Sequence, residues 1–156
     1  MSTPNTDGSI PTACGDKIRI IAVDDHPLFL DGISSLLRGQ PDMELVGEAA
    51  NGREAIDTCL RHRPDISLMD IQMPLLSGID ATVAIRSVWS EARIVVLTTY
   101  EGDALARKAL RAGAVGYLLK NMLRRELVDT IRSAHVGKFR VPVAVALELA
   151  GWPAAV

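Results

Sequence analysis

The chain has 156 residues, of which 48% are hydrophobic, 23% charged and 4% aromatic, and its net charge is −2. This length and composition predict one soluble globular domain with an aliphatic core, and they exclude a chain that is disordered throughout. The slightly acidic balance provides no broad basic surface, so direct DNA binding by this chain is not expected.

Five short apolar runs predict β-strands, and the segments between them predict helices. The strands are expected over residues 17–24, 43–49, 65–70, 93–98 and 114–120. The helices are expected to begin at or near Pro27, Asn51, Ser77, Gly102 and Leu123. Because parallel strands need crossover connections, this strict alternation predicts βαβ units, a parallel sheet and a three-layer α/β sandwich.

Several helices carry a recognisable start signal. Pro27 suits a first helical turn, where its missing N–H group would have no partner in any case. Asn51 with Glu54, and Ser77 with Asp80, have the spacing of capping boxes. The apolar residues predicted for the third helix are Ile79, Val83 and Val88. Those predicted for the fifth helix recur at intervals of three and four and are Leu123, Leu127, Ile131 and Ala134.

Functional side chains follow four of the predicted strands. They are Asp24 and Asp25 after the first, Asp70 after the third, Thr98 after the fourth and Lys120 after the fifth. Because the carboxyl ends of parallel strands meet at one edge of a sheet, we expect these side chains to converge. Clustered carboxylates repel one another and require a cation, and Mg²⁺ prefers oxygen ligands.

This set of side chains favours phosphoryl transfer. An Asp carboxylate can act as a nucleophile towards phosphorus, and a hydroxyl and an ammonium group, here Thr98 and Lys120, can neutralise phosphoryl oxygens. Each residue alone has a simpler explanation, because paired Asp residues often cap helices, Thr favours strands and Lys is usually solvated. The joint arrangement at strand ends favours the chemical interpretation.

The motifs at these positions resemble a response-regulator receiver domain of two-component signalling. They are Asp24-Asp25-His26, Met69-Asp70-Ile-Gln-Met-Pro74 with Gly78, Leu97-Thr98-Thr99-Tyr100, and Gly116-Tyr-Leu-Leu-Lys120. The residues of these motifs are similar to those of the LuxR-type (NarL/FixJ) branch of receivers. The resemblance implies a flavodoxin-like (CheY-like), doubly wound, five-stranded parallel sheet with strand order 2-1-3-4-5 and helices on both faces.

The same resemblance implies a phosphoacceptor and a metal site. Asp70 is expected to accept a phosphoryl group from a sensor histidine kinase. Asp25, Asp70 and the backbone carbonyl of Gln72 are expected to bind Mg²⁺, with Asp24 assisting through water. The expected function is a switch that controls a partner or transcription, and not a turnover enzyme.

The remaining site residues are expected to act on the phosphoryl group or to transmit its effect. Thr98 and Lys120 are expected to contact the phosphoryl group, and Thr98 and Tyr117 to form a two-state switch. His26 is interpreted as a capping or loop residue rather than as a phosphohistidine or a metal ligand. Asn121 departs from the family, which commonly has proline after the lysine.

The resemblance also suggests how the chain is divided. Residues 1–16 are expected to form a flexible leader, residues 17–137 the receiver, and residues 138–156 a linker-like tail. Segment 141–150 resembles the start of the linker before a LuxR-type DNA-binding domain, but no helix-turn-helix follows it. This segment and the fifth helix are expected to pair with a second receiver or a full-length response regulator.

Three other functions are alternatives to the receiver interpretation. An FMN carrier would share the fold, but Asp24 and Asp25 would repel the FMN phosphate. A Mg²⁺-dependent phosphatase of the haloacid-dehalogenase type needs a second Asp two residues after its nucleophile, where this chain has Gln72. The third is a LuxR-type DNA-binding regulator represented here by its receiver alone. Cys14 and Cys59 are too few for a disulfide framework, and no signal peptide or membrane segment is apparent, so a cytoplasmic location is expected.

Overall fold

The computed structural model describes residues 17–99 and 103–138. The predicted leader 1–16, the motif residue Tyr100 and the predicted linker segment 141–150 lie outside the described residues.

Strands and helices alternate along the described chain as predicted. The strands are β1 (Ile18–Val23), β2 (Met43–Ala49), β3 (Ile66–Asp70), β4 (Ile94–Thr98) and β5 (Gly116–Leu119). The α-helices are α1 (Pro27–Arg38), α2 (Gly52–His62), α3 (Gly78–Val88), α4 (Asp103–Arg111) and α5 (Leu123–His135). A 3₁₀ turn, Lys120–Met122, joins β5 to α5. Within residues 17–99 and 103–138, no helix has the length and apolar character needed to cross a bilayer.

The strands form one parallel sheet with the order β2-β1-β3-β4-β5. This result confirms the predicted doubly wound topology. The pairing of β1 with β2 contains one irregularity, because Ile20 pairs with Leu45 while Ile21 pairs with Gly47. Val46 is therefore an extra residue in β2 that has no partner in β1, as in a β-bulge.

Each face of the sheet is covered by helices. Ile20 and Leu68 point to the side packed by α1 and α5, whereas their neighbours Ile21 and Met69 point to the side packed by α2, α3 and α4. This alternation follows from the two-residue period of a strand. Because both faces are buried, β3 and β4 are buried at every position, as continuous apolar runs predict.

The predicted helix starts are also found. The Asn51 side chain accepts a hydrogen bond from the Glu54 N–H at 2.9 Å, and the Glu54 carboxylate accepts one from the Ala50 N–H at 3.0 Å. Ser77 accepts a hydrogen bond from the Asp80 N–H at 3.1 Å. Each such cap contributes about 1 kcal/mol to helix stability.

The apolar face predicted for α3 is wrong. Ile79 packs against the core, but Val83 and Val88 are 52% and 65% exposed. The residues that α3 buries are Gly78, Ala81, Thr82 and Ile85. This helix packs through mostly small side chains, and size rather than hydrophobicity decides which of its faces meets the sheet. By contrast, all four residues predicted for α5 are buried.

Candidate functional site

The predicted functional side chains lie at one edge of the sheet. Asp24 directly follows β1, Asp70 and Thr98 are the last residues of β3 and β4, and Lys120 directly follows β5. Asp24, Asp70 and Thr98 are buried. The parallel topology therefore brings the carboxylates of Asp24 and Asp70, a hydroxyl and an ammonium group to the place where α/β sheets bind ligands.

Lys120 joins the two buried carboxylates. Its Nζ atom lies 2.6 Å from Asp24 Oδ2 and 3.3 Å from Asp70 Oδ1. The Lys120 side chain is only 12% exposed, so these ion pairs are poorly screened by solvent. The direct contact between Asp24 and Lys120 was not predicted from the sequence.

The surroundings of Asp70 favour its protonated form. Burial, followed by repulsion from Asp24, raises the pKa of Asp70 from 3.8 to about 6, although Lys120 opposes the rise. Asp25 adds a smaller repulsion. Any positive charge that enters the site will therefore favour the Asp70 carboxylate, since it offsets both the desolvation and the repulsion.

Four residues provide atoms that could hold a metal ion. One ligand atom from each of Asp24, Asp25, His26 and Asp70 can be chosen so that all four lie within 4.8 Å of one another. Carboxylate oxygens dominate this set, which suits a hard divalent cation such as Mg²⁺. Gln72 follows in the loop after β3 with an exposed side chain, so the role predicted for its backbone carbonyl stays a prediction.

His26 contacts Asp24 and Asp25, which was not predicted from the sequence. It is the N-cap residue of α1, but its side chain makes no capping hydrogen bond. Its ring Nδ1 instead lies 2.9 Å from Asp24 Oδ1 and 3.1 Å from Asp25 Oδ1. The imidazole is 68% exposed, so it lies over the solvent side of the carboxylates.

Gly78 has a steric role beside Asp70. Its N–H donates a 2.8 Å hydrogen bond to the Ile71 carbonyl oxygen. A Cβ atom at this position would lie 1.9 Å from the carbonyl oxygen of Asp70. A residue with any side chain here would therefore force the start of α3 away from the end of β3.

Thr98 and Tyr117 are brought together, as the predicted switch requires. Tyr117 is almost fully buried, and burial raises the pKa of its phenol. A hydrogen bond with the Thr98 side chain acts in the opposite direction and lowers that pKa. The pair connects the acidic site to the side of the sheet that α3 and α4 cover, since Tyr117 belongs to that part of the core.

Phe29 is a neighbour of the site that the sequence did not reveal. Its ring centroid lies 4.4 Å from Lys120 Nζ. In the sequence Phe29 is one of several apolar residues of the first helix, and no motif distinguishes it from Leu30 or Ile33.

Comparison with known proteins places this site in a family. The family model for the response regulator receiver domain matches residues 20–132, which is most of the chain. The chain belongs to this family. The matched region contains all the strand ends described above, so Asp24, Asp25, Asp70, Thr98 and Lys120 all lie within the receiver domain.

The relatives of this receiver are regulators. It is 44% identical over 123 residues to the transcriptional regulatory protein YxjL of Bacillus subtilis and 37% identical over 129 residues to LiaR of the same species. These matches cover 79% and 83% of this chain, but only 56% and 61% of the two relatives. The chain thus spans about three-fifths of their length.

Solved structures support the same branch. A LuxR-family response regulator from an Aurantimonas species is 38% identical, with a TM-score of 0.82, and the match covers 86% of this chain and 96% of that one. The receiver domain of NarL from Mycobacterium tuberculosis is 33% identical, with a TM-score of 0.76, and the match covers 79% of this chain and 99% of that one. The receiver is therefore of the LuxR type.

Proposed function

We propose that the receiver accepts a phosphoryl group on Asp70 from a sensor histidine kinase, in a Mg²⁺-dependent reaction, and changes conformation to control a partner or transcription. The observation that carries this proposal is the position of Asp70. It ends a buried strand, and the ammonium group of Lys120 bridges its carboxylate to a second buried carboxylate, that of Asp24.

The proposed reaction is a direct displacement at phosphorus. The Asp70 carboxylate attacks the phosphoryl group of a phosphohistidine, an O–P bond forms, the P–N bond breaks, and the histidine nitrogen leaves with the bonding pair. Its reactive form is the carboxylate, which predominates at pH 7 because the pKa of Asp70 is about 6. Asp24, Asp25, Asp70 and the Gln72 carbonyl would hold Mg²⁺, which when bound supplies neutralisation of the phosphoryl oxygens.

Lys120 and Thr98 supply the protein's own neutralising groups in this proposal. The Lys120 ammonium is already held 3.3 Å from the Asp70 carboxylate, so it needs little movement to reach an oxygen of a phosphoryl group attached there. Thr98 ends the neighbouring strand and can donate its hydroxyl hydrogen to another phosphoryl oxygen. Both side chains therefore come from the side of the sheet on which β4 and β5 lie.

The switch is proposed to operate through the Thr98 and Tyr117 pair. When the Thr98 hydroxyl turns towards the phosphoryl group, its hydrogen bond with Tyr117 is lost. Because a buried phenol without a hydrogen-bond partner is costly, the Tyr117 side chain then changes its conformation. A packing change of this kind has two discrete states rather than a continuous range. The surface altered would be formed by α4, β5 and α5.

Control of transcription is the output that the relatives favour. YxjL and LiaR are named transcriptional regulatory proteins, and each is longer than the region matched here. We propose that this receiver serves the same purpose within a LuxR-type regulator or by pairing with one. The phosphatase alternative has less support, because Gln72 occupies the place of the second Asp and its side chain is exposed.

A small-molecule phosphodonor tests the proposal directly. The wild-type protein with Mg²⁺ should gain the mass of one phosphoryl group, and a chelator or the Asp70→Asn substitution should abolish the gain. Asp57→Asn is the matched control, because Asp57 is an exposed acidic residue on α2 that pairs with Arg61 on the same helix. Labelling of Asp70→Asn at the wild-type level would refute the assignment.

The switch needs a separate test. Thr98→Ala should still accept the phosphoryl group but lose most of the accompanying NMR shift changes in α4. A normal pattern of shift changes in the phosphorylated Thr98→Ala protein would contradict the proposed relay.

A further inference from the structure

Lys120 has a third neighbour besides the two carboxylates. Its Nζ atom lies 4.4 Å from the centroid of the Phe29 ring, within the distance at which an aromatic face attracts a cation. The carboxylates of Asp24 and Asp70 contact the same ammonium group at 2.6 and 3.3 Å. An aromatic ring and two acids therefore determine where this positive charge lies.

The position of Phe29 is set by the same turn that presents the acidic residues. His26 occupies the N-cap position of α1 directly after Asp25, and Pro27 is the first helical residue. The Phe29 N–H donates a 3.0 Å hydrogen bond to the His26 carbonyl oxygen, so Phe29 lies within the first helical turn. Its side chain is half-buried against the core shared by α1 and α5. The ring is therefore held from behind by the core while its face meets Lys120.

A lysine at this place needs such support. A long Lys side chain has about 2 kcal/mol of rotamer entropy, and its ammonium group is strongly hydrated, so it tends to move into solvent. A ring face beside the ammonium group excludes water and adds electrostatic attraction without competing for the hydrogen bonds of the carboxylates. Phe29 can thus keep Lys120 in the site and leave its N–H groups available.

We propose that Phe29 is a positioning residue for phosphoryl transfer, because its ring face holds the Lys120 ammonium next to Asp70. This inference rests on the proposed function. It predicts that the aromatic character of residue 29, and not only its volume, determines how fast Asp70 is phosphorylated.

Variants at residue 29 separate these two properties. Phe29→Leu keeps an apolar side chain but removes the ring, Phe29→Tyr keeps the ring, and a ring-fluorinated phenylalanine keeps the shape but weakens the negative ring face. Leu30→Ala is the packing control, because Leu30 is a half-buried neighbour on the same helix that packs against the same core.

Two measurements are made on each protein. The first is the NMR shift of the Lys120 side-chain protons in metal-free, unphosphorylated protein, where a ring 4.4 Å away should move these protons upfield. The second is the rate of phosphorylation by a small-molecule phosphodonor at saturating Mg²⁺. We expect Phe29→Leu and the fluorinated variant to slow the reaction about two- to five-fold, and Phe29→Tyr and Leu30→Ala to react at the wild-type rate.

The outcomes distinguish this inference from the proposed function. A wild-type rate in Phe29→Leu, or an equal loss in Phe29→Tyr, would overturn the positioning role while labelling of Asp70 still supported the function. Lys120 protons without an upfield shift in the wild type would also overturn it. Absence of any labelling in the wild type would refute the proposed function, and the NMR shift would still decide whether the ring contacts Lys120.

Discussion

Replacing Asp70 with Asn should make the metal-free protein more stable at neutral pH. The native structure binds the Asp70 proton more tightly than the unfolded chain does, because burial and the neighbouring Asp24 raise its pKa from 3.8 to about 6. Between these values the unfolded chain binds fewer protons, so the free energy of unfolding falls as the pH rises from about 4 to about 6. An Asn side chain does not ionise, so the Asp70→Asn protein does not lose this part of its free energy of unfolding.

The size of the effect follows from the shift in pKa. The difference is about two pH units, and each unit corresponds to about 1.4 kcal/mol, so Asp70→Asn should gain about 3 kcal/mol at pH 7. The gain should disappear below about pH 4, where Asp70 is protonated in both states. Mg²⁺ should reduce this difference in stability, since an ion that binds the native wild-type site more tightly than the Asp70→Asn site stabilises the wild type more.

Urea denaturation in the presence of a chelator measures this difference at a series of pH values. Asp57→Asn is the control, because this exposed pair with Arg61 contributes less than about 1 kcal/mol and involves no buried charge. Equal stability of the wild type and Asp70→Asn at pH 7, or a difference that grows as the pH falls, would show that Asp70 is not held at an elevated pKa.

Three further substitutions give measurable results. Gly78→Ala should lower the free energy of unfolding by about 3 kcal/mol or more in urea denaturation, because the added Cβ would lie 1.9 Å from the Asp70 carbonyl oxygen. Lys120→Met should raise the pKa of Asp70 further in an NMR titration, because Lys120 lowers that pKa in the wild type. Thr98→Val should raise the pKa of Tyr117 in an alkaline titration, because the lost hydrogen bond had lowered it.

Each of these predictions has a matched control. Gly32→Ala on α1 should stabilise by about 0.5 to 1 kcal/mol, since no atom lies within 4 Å of the added Cβ and Ala favours helices. Lys108→Met on α4 should leave the pKa of Asp70 unchanged. A Tyr100→Phe background isolates the phenol of Tyr117. Similar losses of stability for Gly78→Ala and Gly32→Ala would contradict the reasoning. So would an unchanged pKa of Asp70 in Lys120→Met, or an unchanged pKa of Tyr117 in Thr98→Val.

The fold could be predicted because its signals are local and repeated. Apolar runs of strand length alternate with helical segments, and Asn51 and Ser77 cap the helices that the spacing predicts. Prediction of α3 failed for a geometric reason. Val83 and Val88 are five residues apart, which places them about 140° apart on a helix, so they do not share one face. The buried face instead contains small residues that a search for hydrophobic spacing overlooks.

The site could be predicted only as far as strand ends determine it. The rule that parallel strands end at one edge brings Asp24, Asp70, Thr98 and Lys120 together without any knowledge of side-chain conformation. The contact of Lys120 with Asp24 and with the Phe29 ring depends on how a long side chain folds back into the site. Sequence spacing holds no information about such a conformation. It likewise does not determine how the His26 ring is oriented towards the carboxylates.

The bulge in β2 has a consequence for how copies of the protein can meet. As an outer strand of the sheet, β2 has backbone groups that a foreign strand could pair with, which is a common route to fibrils. The unpaired Val46 bends this edge, and the exposed carboxylates of Glu44 and Glu48 add repulsion between copies. Concentrated solutions should therefore resist fibril growth through this strand.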